Sequence, residues 1–283
     1  MSSVVIAAHN EENVLDACLR SLLQQGVTAG DIVVVANGCV DRTADVARQH
    51  GVVVVELAQA GKARALNAGD EAAKTFPRIY LDADIVVPPG GVNTVTAGLS
   101  ANMLVGVPQR RVETSGRPWP VRAYFTINER LPAFREGLFG RGMIVLSEEG
   151  RKRFDRFPEL IADDLFLDSL FVGSEKVIVD DAVVVVEAPH TAKDLFRRLV
   201  RVRRGNREMR AAGVSLGSDV RPSDPWAWLR ESAPRPALWP AAVCYAAFTI
   251  AATVAARRAG GDAWGRDEST RQQQDPARGK KTS

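Results

Sequence analysis

Ile79-Tyr80-Leu81-Asp82-Ala83-Asp84 reads as a short apolar strand running straight into two carboxylates one residue apart. Three β-branched runs precede it, Ser3 to Ala8, Ile32 to Ala36 and Val52 to Leu57. Amphipathic stretches separate them. Asn10 is the expected N-cap of a helix carrying Val14, Cys18 and Leu22 on one face, with Gly26 as its stop. Thr43 to His50 and Lys62 to Thr75 supply two more helices. This alternation is the signature of an α/β fold with a mostly parallel sheet and crossover helices. Each strand ends in polar residues: Ala8-His9-Asn10, Asn37-Gly38, Gln59-Ala60-Gly61 and Asp82-Ala83-Asp84. They fall together at the carboxyl edge of one sheet, where open α/β folds bind ligands. Two carboxylates in an extended turn there can hold a hard divalent cation together with a diphosphate. The same pair also suits an Asx-turn or a helix cap.

Past residue 100 the pattern loosens. A strand is expected from Met103 to Pro108, a loop around Pro118-Trp119-Pro120 and a strand from Gly142 to Ser147. An acidic helix follows around residues 163–167, then strands Val177 to Val179 and Val183 to Glu187, then a basic helix from Thr191 to Ala211. Residues 237–256 are uncharged and end at Arg257-Arg258. At ~1.5 Å per residue such a helix spans roughly the 30 Å hydrocarbon core of a bilayer. Trp226, Trp228 and Trp239 lie beside it, as in an interfacial aromatic belt. Alanine-rich composition and Pro240 leave room for a helix packed on the body or lying in the membrane interface.

The 283 residues are 46% apolar and 25% charged, which excludes disorder, collagen and a disulfide scaffold. Charge is unevenly divided. Up to Pro189 there are 19 Lys/Arg against 25 Asp/Glu, and from His190 onward 18 against 9. The acidic body is thus followed by a segment suited to anions. Cys18, Cys39 and Cys244 are odd in number and lack zinc-ligand spacing, which fits a reducing compartment. MSSVVIAA has no basic n-region and reads as a first strand rather than a signal peptide, so the body is expected in the cytoplasm. The expected organisation is an α/β domain over 1–215, a membrane-associated or transmembrane helical segment over 216–258 and a disordered tail over 259–283.

Taken in order, Val4-Val5-Ile6-Ala7-Ala8-His9-Asn10-Glu11-Glu12, Asn37-Gly38-Cys39-Val40-Asp41-Arg42-Thr43, Gly61-Lys62-Ala63-Arg64-Ala65-Leu66-Asn67-Ala68-Gly69 and Asp82-Ala83-Asp84 resemble the motifs of family 2 glycosyltransferases. The resemblance covers residues 3 to about 210. It implies a GT-A fold, a nucleotide-sugar donor, a divalent cation (Mg²⁺ or Mn²⁺) and inversion at the anomeric carbon. By this resemblance Ala8, His9 and Glu11 line the base and ribose pocket, and Asn37 replaces the family's usual aspartate as a base contact. An amide there both donates and accepts. Asp41 reads as a cap of the next helix. Lys62, opening a helix after Gly61, can neutralise a diphosphate in the field of the helix terminus. Asp84, assisted by Asp82, is the expected metal ligand.

Asp163-Asp164 resembles the family's acidic pair, usually Glu-Asp, whose second member is the catalytic base; two acids in a first helical turn also suit its dipole. Val200-Arg201-Val202-Arg203-Arg204 stands where processive relatives carry Gln-x-x-Arg-Trp. Arg203 keeps the arginine and is the expected contact of the leaving diphosphate, while the lost Gln and Trp argue against a processive synthase. The surplus arginines suit an anionic membrane surface. No aromatic residue lies among residues 197–210 to stack bases, which argues against nucleic acid. Gly140-Arg141-Gly142-Met143 matches the acceptor-side loop or a simple turn. The expectation is a membrane-associated, metal-dependent transferase moving a sugar, first of all from a UDP-sugar, to a hydroxyl of a lipid-linked or envelope glycan. A polyprenyl-phosphate glycosyltransferase and a non-catalytic GT-A-like scaffold are the alternatives.

Overall fold

A computed structural model describes residues 2–159, 162–216 and 224–258. The chain runs β1 (Ser3–Ala8), α1 (Leu15–Leu23), β2 (Ile32–Asn37), α2 (Thr43–Gln49), β3 (Val53–Leu57), α3 (Lys62–Ala72), β4 (Arg78–Asp82), α4 (Gly91–Ala97) and β5 (Val105–Glu113). It continues through α5 (Trp119–Asn128), α6 (Pro132–Glu136), β6 (Met143–Leu146), α7 (Glu148–Arg151), α8 (Asp163–Ser169), β7 (Lys176–Glu187), α9 (Ala192–Leu216), α10 (Ala227–Ser232) and α11 (Trp239–Arg258). The tail expected over 259–283, and residues 217–223 of the expected membrane segment, lie outside the described residues.

Seven strands form one sheet in the order β3-β2-β1-β4-β6-β5-β7, in which only β6 runs against its neighbours. All six residues of β2 are buried, as expected for a central strand covered by helices on both faces. Side chains alternate between those faces. Val4 and Ile6 pack with Leu15, Cys18, Leu19 and Leu22, whereas Val5 packs with Leu66, Tyr80 and Ile144. Parallel register sets Ala8 beside Ala36 and Ala7 beside Asp82, so the ends of β1, β2 and β4 come out level.

Four local expectations are corrected. Asn10 caps no helix: it takes a left-handed φ of 56°, and its Oδ1 accepts the Val40 N–H at 2.8 Å while α1 begins at Leu15. The Pro118-Trp119-Pro120 loop is the start of α5, because proline in a first turn forfeits no helical hydrogen bond. The strand expected to end at Pro108 runs on to Glu113. The two strands expected at 177–187 are one, β7. Its register against β5 jumps from Pro108↔Val179 to Gln109↔Val183, and the charges at Asp180 and Asp181 fall in that bulge.

A third apolar cluster joins α5, α9 and α11 through Val121, Tyr124, Leu195, Leu199, Ala242 and Tyr245. The Tyr124 and Tyr245 rings stack at 4.9 Å. The opposite side of α11 is bare, with Val243 69% and Ile250 64% exposed. Helix α11 therefore lies along the body by one face and shows apolar side chains on the other.

Candidate active site

The level strand ends generate a polar floor. Asn37, only 1% exposed at the tip of β2, accepts the Gly61 N–H through Oδ1 at 2.8 Å and so fixes the start of α3. Its carbonyl oxygen lies 2.5 Å from Nδ1 of buried His9, which must donate because a carbonyl only accepts. Gly38 follows with φ +61°, and a Cβ there would stand 2.6 Å from the Ala60 backbone nitrogen. Only glycine closes this turn. Ala8 and Glu11 are buried beside it, and the Glu11 N–H donates to Thr43 Oγ1 at 2.8 Å. Asp41 accepts the Thr43 N–H and hydroxyl and the Glu12 N–H, so it ties down the first residue of α2 from just before Arg42, which is the N-cap in place of the expected Asp41.

Beside this floor Lys62 connects two acidic segments. Its Nζ lies 3.0 Å from Asp82 Oδ1 at the end of β4 and 3.1 Å from Asp163 Oδ2 at the start of α8. Burial works against its charge, but Asp163, Asp82 and Asp164 outweigh burial and hold the ammonium charged beyond an ordinary lysine. Asp164 Oδ2 accepts the Gly140 N–H at 3.1 Å, and its Oδ1 accepts the Leu165 N–H at 2.8 Å. Burial first, and then the neighbouring Asp163 charge, push the Asp164 carboxyl up to about 6, against the pull of Lys62 and the two N–H donors. A group poised there is ionised at neutral pH yet basic enough to accept a proton.

The Gly140-Arg141-Gly142 turn ties these parts together. Gly142 accepts the Asp82 N–H at 2.8 Å through its carbonyl, while Gly140 donates to Asp164. Both glycines have positive φ, and a Cβ on Gly142 would meet Ile85 at 2.4 Å. The glycines thus serve backbone geometry and close packing. One cavity is lined by Lys62, Asp82, Gly140, Arg141, Asp163 and Asp164 among others.

Asp84 is exposed just past Asp82 at the sheet edge. Among the described residues no three His, Cys, Asp or Glu side chains gather as a metal-holding group. Asp82 and Asp84 offer carboxylate oxygens only, a donor set that suits Mg²⁺ or Mn²⁺ provided phosphate and water complete the shell. The residues present fit such an ion bound jointly with a diphosphate.

Arg203 is not brought to this cavity, which corrects its expected contact with the leaving diphosphate. It lies against Tyr124 and Tyr245, between α5 and α11. The cause is helical phase. Arg203 continues the Leu195-Leu199 stripe that packs on α5, whereas Met209, six residues or about 240° further round, enters the core with Phe157 and Phe166. Arg110, in the middle of β5, carries no local signal in the sequence, whereas Arg141 does. Arg141 is 1% exposed and donates to the carbonyls of Gly137, Pro108, Phe134 and Arg135. An arginine between two glycines was the available signal.

The family model described as Glycosyl transferase family 2 matches residues 3–147. The 4,4'-diaponeurosporenoate glycosyltransferase of Staphylococcus aureus is 35% identical over 89 residues, which is 29% of this chain and 24% of that protein. The match thus spans about a quarter of the relative's length. Among solved structures, S. aureus TarS 1-349 aligns over 91% of each chain with a TM-score of 0.52 and 17% identity. Glucosyl-3-phosphoglycerate synthase from Mycobacterium tuberculosis aligns over 75% of this chain and 80% of its own, with a TM-score of 0.52 and 18% identity. The likeness to both is one of fold, the GT-A arrangement of a mostly parallel sheet flanked by helices.

Proposed function

The chain belongs to glycosyl transferase family 2, and from that premise we propose that it moves a sugar, with inversion, from a nucleotide sugar to an acceptor hydroxyl. The observation that carries this reading is the Lys62 bridge between Asp82 and Asp163, which holds the strand-end aspartate next to the Asp164 base. A UDP-sugar is the first choice of donor, since the TarS fold relative has been captured with UDP and with UDP-GlcNAc. His9, Asn37 and Glu11 form the wall for base and ribose, and Lys62 faces the diphosphate. A divalent cation held by Asp84 with Asp82 would offset the charge on the departing nucleoside diphosphate. Asp164 takes the proton from the acceptor hydroxyl as its oxygen bonds to the anomeric carbon. The bond from that carbon to the diphosphate breaks, and its electron pair leaves with the nucleotide.

We further propose that the work is done at the cytoplasmic face of the cell membrane, on a lipid-linked or envelope glycan acceptor. Trp239, Val243, Ile250 and Val254 form the bare side of α11, which ends in Arg257-Arg258. Because its other side packs on α5 and α9, α11 suits lying in the interface better than crossing the bilayer.

The deciding experiment is nucleoside diphosphate release from UDP-, GDP- and dTDP-sugars with Mg²⁺ or Mn²⁺, comparing wild type with Asp84→Ala. Metal-dependent release from one donor, lost in Asp84→Ala, is expected. Donor binding without release under any metal, with or without acceptor extracts, would favour the scaffold alternative.

A further inference from the structure

Arg110 and Arg141 are two neighbouring cations held by neutral groups. Arg110 on β5 reaches Asn128 Oδ1 at 3.2 Å and the Gly140 carbonyl at 3.4 Å, and lies over the Phe134 ring at 4.8 Å. Arg141 donates only to main-chain carbonyls. Among the described residues neither is in an ion pair. The acid whose field reaches Arg110 is Glu129, whose Oε1 already accepts the Val112 N–H at 3.0 Å. Arg198, from α9, adds like charge. Burial, and after it Arg110, pushes Arg141 down to about 10. Arg141 is buried and Arg110 half-buried, and cations withdrawn from water are ordinarily matched by an anion, since leaving water costs more than neutral partners return. Retaining these without one points to an anion that comes from outside the chain.

The two arginines line a cavity with Gln109, Glu129, Phe134 and Arg135. It shares Arg141 with the cavity that holds Lys62 and Asp164. One residue joins the two: Gly140 accepts from Arg110 through its carbonyl and donates to Asp164 through its N–H. An anion seated here lies in the cavity next to that of Lys62 and Asp82. Three arginines against one glutamate favour a phosphate over a singly charged carboxylate, and a guanidinium fork matches two phosphate oxygens at once.

We propose that this cavity binds a phosphate group carried by the acceptor, so that the acceptor's hydroxyl is set against Asp164. The proposal rests on the reading of Asp164 as the base. It names the acceptor class as phosphorylated alcohols or glycans, whether soluble or on a lipid headgroup.

The test titrates inorganic phosphate by calorimetry into the full-length protein already saturated with UDP and Mg²⁺. Wild type is expected to bind one phosphate per chain. Arg110→Gln and Arg135→Gln should weaken it about tenfold or more, with UDP affinity within about twofold of wild type and unchanged circular dichroism. Arg135 lines the cavity and is exposed, so its variant keeps the test valid where Arg110→Gln unfolds. No phosphate binding to the UDP-loaded wild type, or equal binding by folded Arg135→Gln, would overturn the proposal. So would loss of phosphate binding in Lys62→Met alone, which would put the anion in the donor site. Vesicles of phosphatidylcholine with phosphatidic acid, but not phosphatidylcholine alone, should compete with phosphate if the group is a lipid headgroup. Phosphate binding indifferent to both vesicles supports a soluble phosphorylated acceptor. Phosphate binding through Arg110 and Arg135 in a chain that bound no UDP would sustain the cavity and refute the donor-site reading.

Discussion

Turnover should fall on the acid side of neutrality as Asp164 takes up its proton. The carboxyl is moved from 3.8 to about 6, first by burial and then by Asp163. A general base works only when ionised, so activity rises with pH through that value. One unit below, at pH 5, about a tenth of the molecules carry the ionised base, and kcat/KM should be about a tenth of its plateau. An unshifted aspartate would be over 90% ionised at pH 5, roughly, so the two cases differ about tenfold at one pH. Two neighbours supply the control. Asp163→Asn removes a charge that raises the Asp164 pKa and should move the acid limb to lower pH; Lys62→Met removes a charge that lowers it and should move the limb to higher pH. The assay is the initial rate of nucleoside diphosphate release between pH 4.5 and 8 at constant ionic strength and saturating metal. Asp164→Asn should retain UDP binding while losing about 10²- to 10⁴-fold in transfer. A wild-type profile flat down to pH 5, or limbs of both neighbour variants at the wild-type position, would refute the assignment of Asp164.

Three further outcomes are expected. Lys62→Met leaves Asp82, Asp163 and Asp164 without their shared cation and should weaken UDP binding about tenfold or more by calorimetry. Gly142→Ala forces a side chain onto φ +70° and against Ile85, and should cost about 1–3 kcal/mol in denaturant unfolding, whereas Gly173→Ala, with open space around it, should be near neutral. Val243→Glu with Ile250→Glu should leave Tm unchanged, because both side chains face solvent, but should abolish co-sedimentation with anionic vesicles; each apolar side chain withdrawn from the lipid is worth about 1.5–3 kcal/mol.

The parallel half of the sheet was legible because its signals are local. Alternating β-branched runs and helical stripes need no distant partner to be recognised, and the polar residues following each run located the carboxyl edge where His9, Asn37, Lys62 and Asp82 meet. That Asp41 anchors the start of α2 was legible for the same reason, although Arg42 is the N-cap. Beyond residue 100 the determining interactions are remote. Strand β7 is one element only because β5 pairs on both sides of a bulge at Pro108, and two adjacent aspartates disguised that continuity. Helical phase, fixed by which residues of α9 enter which core, sent Arg203 to Tyr124 and Tyr245 rather than to the donor side. Sequence marked residues 237–256 as apolar, while packing on α5 and α9 decided which face of α11 remains bare. Chemistry types and strand ends are thus written in the chain order, because they follow from periodicity and turn chemistry. The bridge of Lys62 to Asp163 and the joining of Asp164 to Arg110 through one glycine arise only when segments dozens of residues apart are packed together. No periodicity encodes such distances, because burial and like charge act through space.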